Sequence, residues 1–276
     1  GEKYKASLVS LTSLMLLILG DGWEMGGIFP ACHYFLVIPT NAGTHLDLRS
    51  LVVGSWIRAR TKNPKCSRPH ASRLIMSPMT SPTFPTVSGP IVIDGPVGPL
   101  EASVDLPDGE VTPLPLVVVL CHPLSTEGGS MHNKVVTMAA RSLRELGAAT
   151  VRFNFRSVGE SVGSFDHGNG ERDDLLAVVA WARQQRPDDA LWLAGFSFGA
   201  YVSLSAANAV QPDALISIAP PAGRWDFDKI VLPTCPWLVI QGDEDEVVDP
   251  QAVYDWIDTL KQKPDLVRMH GTSHFF

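Results

Sequence analysis

Leu116-Val117-Val118-Val119-Leu120 is apolar at every position. A strand with one face in water alternates, whereas a strand covered on both faces does not need to, so this run belongs in a sheet with helices on either side. Leu191 to Ala194 is apolar throughout as well, and Leu215 to Ile218, Trp237 to Gln241, Ala149 to Phe153 and Leu266 to Met269 also read as strands. Between them lie stretches of helical spacing: Lys134 to Leu146 with Gly147 as its stop, Glu171 to Gln185, Phe198 to Val210 and Pro250 to Leu260. Strands alternating with helices predict an α/β fold, a doubly wound and mostly parallel sheet with right-handed crossovers. Ahead of it, Ile91 to Asp94 and Leu100 to Asp105 flank a Gly/Pro turn, and the alternation of the second predicts an antiparallel edge hairpin. Ligands of such sheets sit outside the carboxyl ends of the strands. The loops to search therefore come after Cys121, Phe153, Ala194, Ile218, Gln241 and Met269.

One of those loops holds Gly195-Phe196-Ser197-Phe198-Gly199. On composition alone, roughly one random chain of this length in ten would contain Gly-x-Ser-x-Gly. Its place between a buried strand and a small-residue helix gives it meaning, because a serine on so tight a turn projects its Oγ out of the sheet. The flanking glycines remove side chains where backbone passes close to backbone. A serine hydroxyl needs a base to take its proton, and the base needs a carboxylate to orient it. In this fold the partners come in the order Ser, Asp/Glu, His. Gly242-Asp243-Glu244-Asp245-Glu246 comes after one buried strand and Gly271-Thr272-Ser273-His274 after the last. The Phe198 N–H, at the positive end of its helix, is the expected donor to an oxyanion.

Taken together, Leu120-Cys121-His122-Pro123, Gly128 to Lys134, Arg152 to Ser161, Gly195 to Gly199, Gly242 to Asp245 and Ser273 to Phe276 resemble the α/β-hydrolase superfamily, over about 91–276. Within it the chain is similar to small, lidless bacterial serine hydrolases of the carboxylesterase and dienelactone-hydrolase-like groups. The resemblance implies Ser197 as nucleophile, His274 as base and Asp245, three residues after Gly242, as its orienter. It points to the Leu124 N–H as second oxyanion donor, since Pro123 has none. His122 is placed in the substrate-binding set, with a structural brace for the oxyanion loop as its other reading. Related chains often read His-Pro-His-Pro where this one has His122-Pro123-Leu124-Ser125, which bears on pocket polarity. The implied activity is hydrolysis of small carboxylic esters through an acyl-enzyme, with no cofactor and no metal. A peptidase or amidase of the same superfamily, or a non-catalytic binding module on this fold, are the alternatives. A serine in place of Cys or Asp argues against dienelactone chemistry proper and against an alkyl-enzyme ester.

The connection from Ala219 to Pro236 is rich in Pro and Gly and too short for a cap domain, so an uncovered site is expected. His132 and Asn133 are read as capping groups or substrate contacts, Asp166-His167-Gly168 as a surface loop, Arg156 as a pin for its own loop, and Gly159 and Gly163 as turn residues. Cys121 and Cys235 read as buried core thiols, and no zinc-ligand spacing appears. Patternless cysteines fit a reducing compartment, and a cytoplasmic location is expected, although the apolar run from Leu8 to Leu19 leaves export open. That run is too short for a confident span, so no stable membrane insertion is expected.

Charge divides the chain: residues 1–90 carry nine Lys/Arg against four Asp/Glu, and 91–276 carry thirteen against twenty-five. The acidic part argues against a nucleic-acid surface. The small-molecule ester is the expected partner, and a homodimer is the assembly left open. Residues 1–90 are read as an irregular or non-native extension, of which 1–75 is expected to contribute little to function. The chain stops two residues after His274 where related chains continue with a helix, so 91–276 is read as a hydrolase domain truncated at its C-terminus.

Overall fold

The apolar runs form one eight-stranded sheet in the computed structural model, which describes residues 83–276. The strands are β1 (Gly89–Asp94), β2 (Pro99–Asp105), β3 (Leu116–Cys121), β4 (Ala149–Phe153), β5 (Ala190–Phe196), β6 (Ala214–Ile218), β7 (Trp237–Gly242) and β8 (Asp265–Met269). The helices are α1 (Lys134–Glu145), α2 (Asn169–Gln185), α3 (Phe198–Val210) and α4 (Pro250–Thr259), with a 3₁₀ turn at Ser125–Glu127. The strand order is β1-β2-β4-β3-β5-β6-β7-β8. β1–β2 and β2–β4 run antiparallel and every later pairing is parallel. The doubly wound sheet with its antiparallel edge hairpin is therefore as the sequence predicts.

Residue parity explains why β3 is apolar throughout. Leu116, Val118 and Leu120 pack with Val135, Val136, Ala139 and Leu143 of α1. Val117, Val119 and Cys121 face the opposite layer, with Leu175 and Val178 of α2, Val202 of α3 and Val253 of α4. Each fully buried Val or Leu in these two layers contributes about 1.5–3 kcal/mol relative to exposure. β8, at the far edge, has no fully buried residue.

Two boundaries and one burial differ from expectation. Phe84 already belongs to the fold, its ring stacked on Trp181 at 5.4 Å, so the domain begins ahead of 91. Helix α2 starts at Asn169 rather than Glu171, because the Glu171 carboxylate reaches back to accept from the N–H groups of Gly168 (2.7 Å) and Asp166 (2.9 Å). Cys235 is half-buried where a core thiol was expected; burial still pushes its pKa up to about 11. Residues 1–82, including the Leu8–Leu19 run, lie outside the described residues. Among the described residues no helix is long and apolar enough to cross a membrane. The segment from Ala219 to Pro236 holds a single bridge, Ala222 with Trp225, and no cap domain.

Candidate active site

Strand β5 ends at Phe196 and α3 begins at Phe198, leaving Ser197 alone in the turn. Its backbone lies at φ 54° and ψ −121°, a region that costs a non-glycine residue on the order of 1–3 kcal/mol. The surroundings enforce it. The Ser197 N–H donates to the Ile218 carbonyl at 2.8 Å, and the Ser197 carbonyl accepts from Ala200 at 2.8 Å. A Cβ on Gly195 would sit 2.2 Å from the Gly199 carbonyl oxygen, and one on Gly199 would sit 2.3 Å from that of Cys121. Both glycines are thus required by close approach, and the second presses α3 against the end of β3.

The two later loops converge on this turn. His274 Nε2 lies 3.1 Å from Ser197 Oγ, and His274 Nδ1 lies 2.8 Å from Asp245 Oδ2. Asp245 Oδ1 accepts from the N–H groups of Val247 (2.9 Å) and Val248 (2.7 Å), and Oδ2 also accepts from Gln241 Nε2 (3.0 Å). Burial pushes the Asp245 carboxyl upward, but these donors outweigh it and hold it below the ordinary carboxylate range. An ionised carboxylate only accepts, so Nδ1 carries the imidazole proton and Nε2 is free to accept from the serine hydroxyl. The ring is wedged between Phe196 and Phe275, at centroid distances of 4.9 and 5.1 Å.

The Phe198 N–H opens α3, and the Leu124 N–H precedes the Ser125–Glu127 turn; among the described residues neither donates to a protein acceptor. Phe165, Tyr201 and Trp225, each from a different segment, surround the buried Phe198 ring at centroid distances of 5.8, 6.3 and 4.8 Å. Among the described residues no three His, Cys, Asp or Glu side chains are grouped to hold a metal ion.

Of the two readings of His122, the structure fits the brace rather than the substrate contact. His122 is 0% exposed and both ring nitrogens are engaged. Nδ1 must donate to the Pro123 carbonyl (2.6 Å), so Nε2 accepts from the Phe155 N–H (3.0 Å). It braces the oxyanion loop against the segment after β4. Burial pushes its pKa down to about 4, only partly opposed by the Pro123 carbonyl. Because the folded value lies below the unfolded one, this contribution is intact above about pH 6.5 and is lost as pH falls toward 4. His122→Ala is expected to leave a buried N–H unsatisfied at about 1–3 kcal/mol, lowering Tm by about 2–10 °C at pH 7.5. Thermal melts from pH 7.5 to 4.5 check this: the gap to wild type should narrow as pH falls.

Asn133 caps α1, accepting from the Val135 N–H at 2.9 Å, and His132 is exposed. Arg156 does more than pin its own loop, since its guanidinium forms a buried pair with Asp174 of α2 at 2.8 Å. Sequence reasoning missed Gln241 and Glu246 and gave Asp243 no role. The structure gives both acids partners on the histidine loop. Asp243 Oδ2 lies 2.7 Å from His270 Nδ1, its Oδ1 accepts from the Gly271 N–H at 2.8 Å, and Glu246 accepts from the His274 N–H at 3.2 Å.

Residues 94–234 match the family model described as X-Pro dipeptidyl-peptidase (S15 family). The chain is 31% identical over 196 residues to an uncharacterized protein, RP471, of Rickettsia prowazekii (strain Madrid E), covering 67% of this chain and 81% of that one. Among solved structures it is similar to XC6422 from Xanthomonas campestris, described as a serine hydrolase without a lid, with 69% identity and TM-score 0.69 over 71% of this chain and 89% of that one. An α-β serine hydrolase homologue from Coxiella burnetii matches with 43% identity and TM-score 0.67, over 70% of this chain and 92% of that one.

Proposed function

The chain belongs to the α/β-hydrolase superfamily, within the S15 family, and is a serine hydrolase; we propose that it cleaves small carboxylic esters through an acyl-enzyme, with Ser197, His274 and Asp245 as its triad. The observation that carries this is the unbroken relay from Asp245 Oδ2 through the imidazole to Ser197 Oγ, at 2.8 and 3.1 Å. Ser197 Oγ attacks the ester carbonyl while His274 Nε2 takes its proton. The negative charge on the former carbonyl oxygen is met by the Phe198 and Leu124 N–H groups. Collapse breaks the bond to the alcohol, which leaves with the proton from His274. Water then attacks the acyl-enzyme, with the same imidazole as base, and releases the acid and free Ser197. Asp245 stays ionised throughout and steadies the imidazolium.

The absence of a cap domain between Ala219 and Pro236 supports small substrates. Each buried methylene of an acyl chain would add about 0.8 kcal/mol, and an uncovered site offers a long chain little surface on which to gain it. With p-nitrophenyl esters, kcat/KM is expected to be highest for acetate or butyrate and about tenfold or more lower for laurate, without activation at an emulsion surface. A preference for long chains would overturn the small-substrate reading.

The S15 match supports a second reading, amide hydrolysis after a proline-containing dipeptide. A Gly-Pro p-nitroanilide assayed beside p-nitrophenyl acetate separates the two: turnover of the anilide at a comparable kcat/KM would favour the peptidase. A folded protein that fails to react with a fluorophosphonate probe would favour the non-catalytic module.

A further inference from the structure

We propose that Asp243 is a positioning residue for His274, acting through the His270 ring and the Gly271 N–H; this rests on the triad reading above.

β8 brings the base to the site, yet it is an edge strand without a fully buried residue, so apolar packing holds its end only weakly. The segment after β8 is instead tied residue by residue to the end of β7. The Asp243 N–H donates to the Met269 carbonyl at 3.0 Å. The Asp243 carboxylate holds the His270 ring at 2.7 Å and the Gly271 N–H at 2.8 Å. The Glu244 N–H donates to the Thr272 carbonyl at 3.2 Å. That carbonyl lies 2.3 Å from where a Cβ on Gly242 would be, so the two segments are in backbone contact. Glu246 then accepts from the His274 N–H at 3.2 Å.

The acidic run thus divides its work. Asp245 orients the imidazole, while Asp243 and Glu246 fix the backbone that carries it. Asp243 acts at the turn itself, where Gly271 takes φ +62° and the chain changes direction toward His274. Its carboxyl is pulled upward by burial, but the His270 ring and the Gly271 N–H outweigh this and hold it below the ordinary range. A loosened turn moves Nε2 relative to Ser197 Oγ without touching the substrate's binding surface. The expected effect is therefore on kcat, and a misplacement of about 1 Å costs about 100-fold.

The test is steady-state kinetics on p-nitrophenyl acetate with Asp243→Ala, Asp243→Asn and His270→Ala, beside Ser197→Ala. Asp243→Ala is expected to lower kcat by about 10- to 100-fold with KM within about twofold. Asp243→Asn keeps an acceptor for the Gly271 N–H and is expected to recover most of that loss. His270→Ala removes the same tie from a side chain that is 88% exposed, so the fold is not at risk. It is expected to lower kcat severalfold at unchanged Tm. Wild-type kcat in both alanine variants, or losses that appear in KM instead, would overturn the inference; should Asp243→Ala prove unstable, wild-type kcat in His270→Ala alone would overturn it. Full activity of Ser197→Ala would overturn the triad reading and this inference with it. An inactive Ser197→Ala beside wild-type kcat in Asp243→Ala and His270→Ala would overturn the positioning role alone.

Discussion

Replacing Ser197 with alanine is expected to lower kcat on p-nitrophenyl acetate by about 10⁴- to 10⁶-fold. The residue removed is the attacking atom itself, and no other hydroxyl in the described structure is placed on the relay: His274 Nε2 has Ser197 Oγ as its partner at 3.1 Å. Alanine keeps the Cβ and the backbone. The interactions that hold the turn at φ 54° are all to the main chain, so they survive the substitution. KM and Tm should therefore stay near the wild-type values. Loss of fluorophosphonate labelling in parallel with loss of turnover would tie both to one atom. Retention of more than about a thousandth of wild-type kcat would remove Ser197 from the role.

Much of this site is local in sequence and was legible for that reason. The turn from β5 to α3 needs only an apolar run, two small flanking residues and a helix, all adjacent, and α3 lies where its pattern places it, Phe198–Val210. The acidic run and His274 were legible because each comes after a strand in the expected order, while the choice of Asp245 within that run came from the resemblance. The features that escaped depend on register. Asp243 meets His270 and Gly271 only because Gly242 of β7 pairs with Met269 of β8. Nothing in a run of four acids says which of them has a partner across the sheet. The choice between the two readings of His122 was hidden for the same reason. Its place after β3 suggested a lining residue, but its fate is decided by the Phe155 N–H, 33 positions away in the chain. The start of α2 was set by the Glu171 carboxylate accepting from the Gly168 N–H, a cap that propensity alone does not reveal.

The second large effect is expected for Asp245→Asn, at about 10³- to 10⁴-fold in kcat. The reason lies in the other oxygen. Asp245 Oδ1 accepts from two N–H groups, those of Val247 and Val248, at 2.9 and 2.7 Å. An amide placed there must put its carbonyl oxygen on those donors, which turns its NH₂ toward His274 Nδ1. That NH₂ donates, so Nδ1 becomes the acceptor and the imidazole proton moves to Nε2. An Nε2–H cannot take the proton of Ser197, and the base is lost while the geometry is kept. Asp243→Asn, which leaves the tautomer alone, should be far milder, so the ratio of the two variants separates an orienter from a positioning residue. The two variants also differ in acid. The folded pKa of Asp245 lies below its unfolded value of about 4, so its ionic contribution to stability is complete above about pH 4 and is lost as pH falls through the folded value. The amide cannot titrate, so the stability gap between wild type and Asp245→Asn, read by urea unfolding, should shrink below about pH 4. A gap that is constant across that window, together with kcat within tenfold of wild type, would assign the orienting role to a different carboxylate.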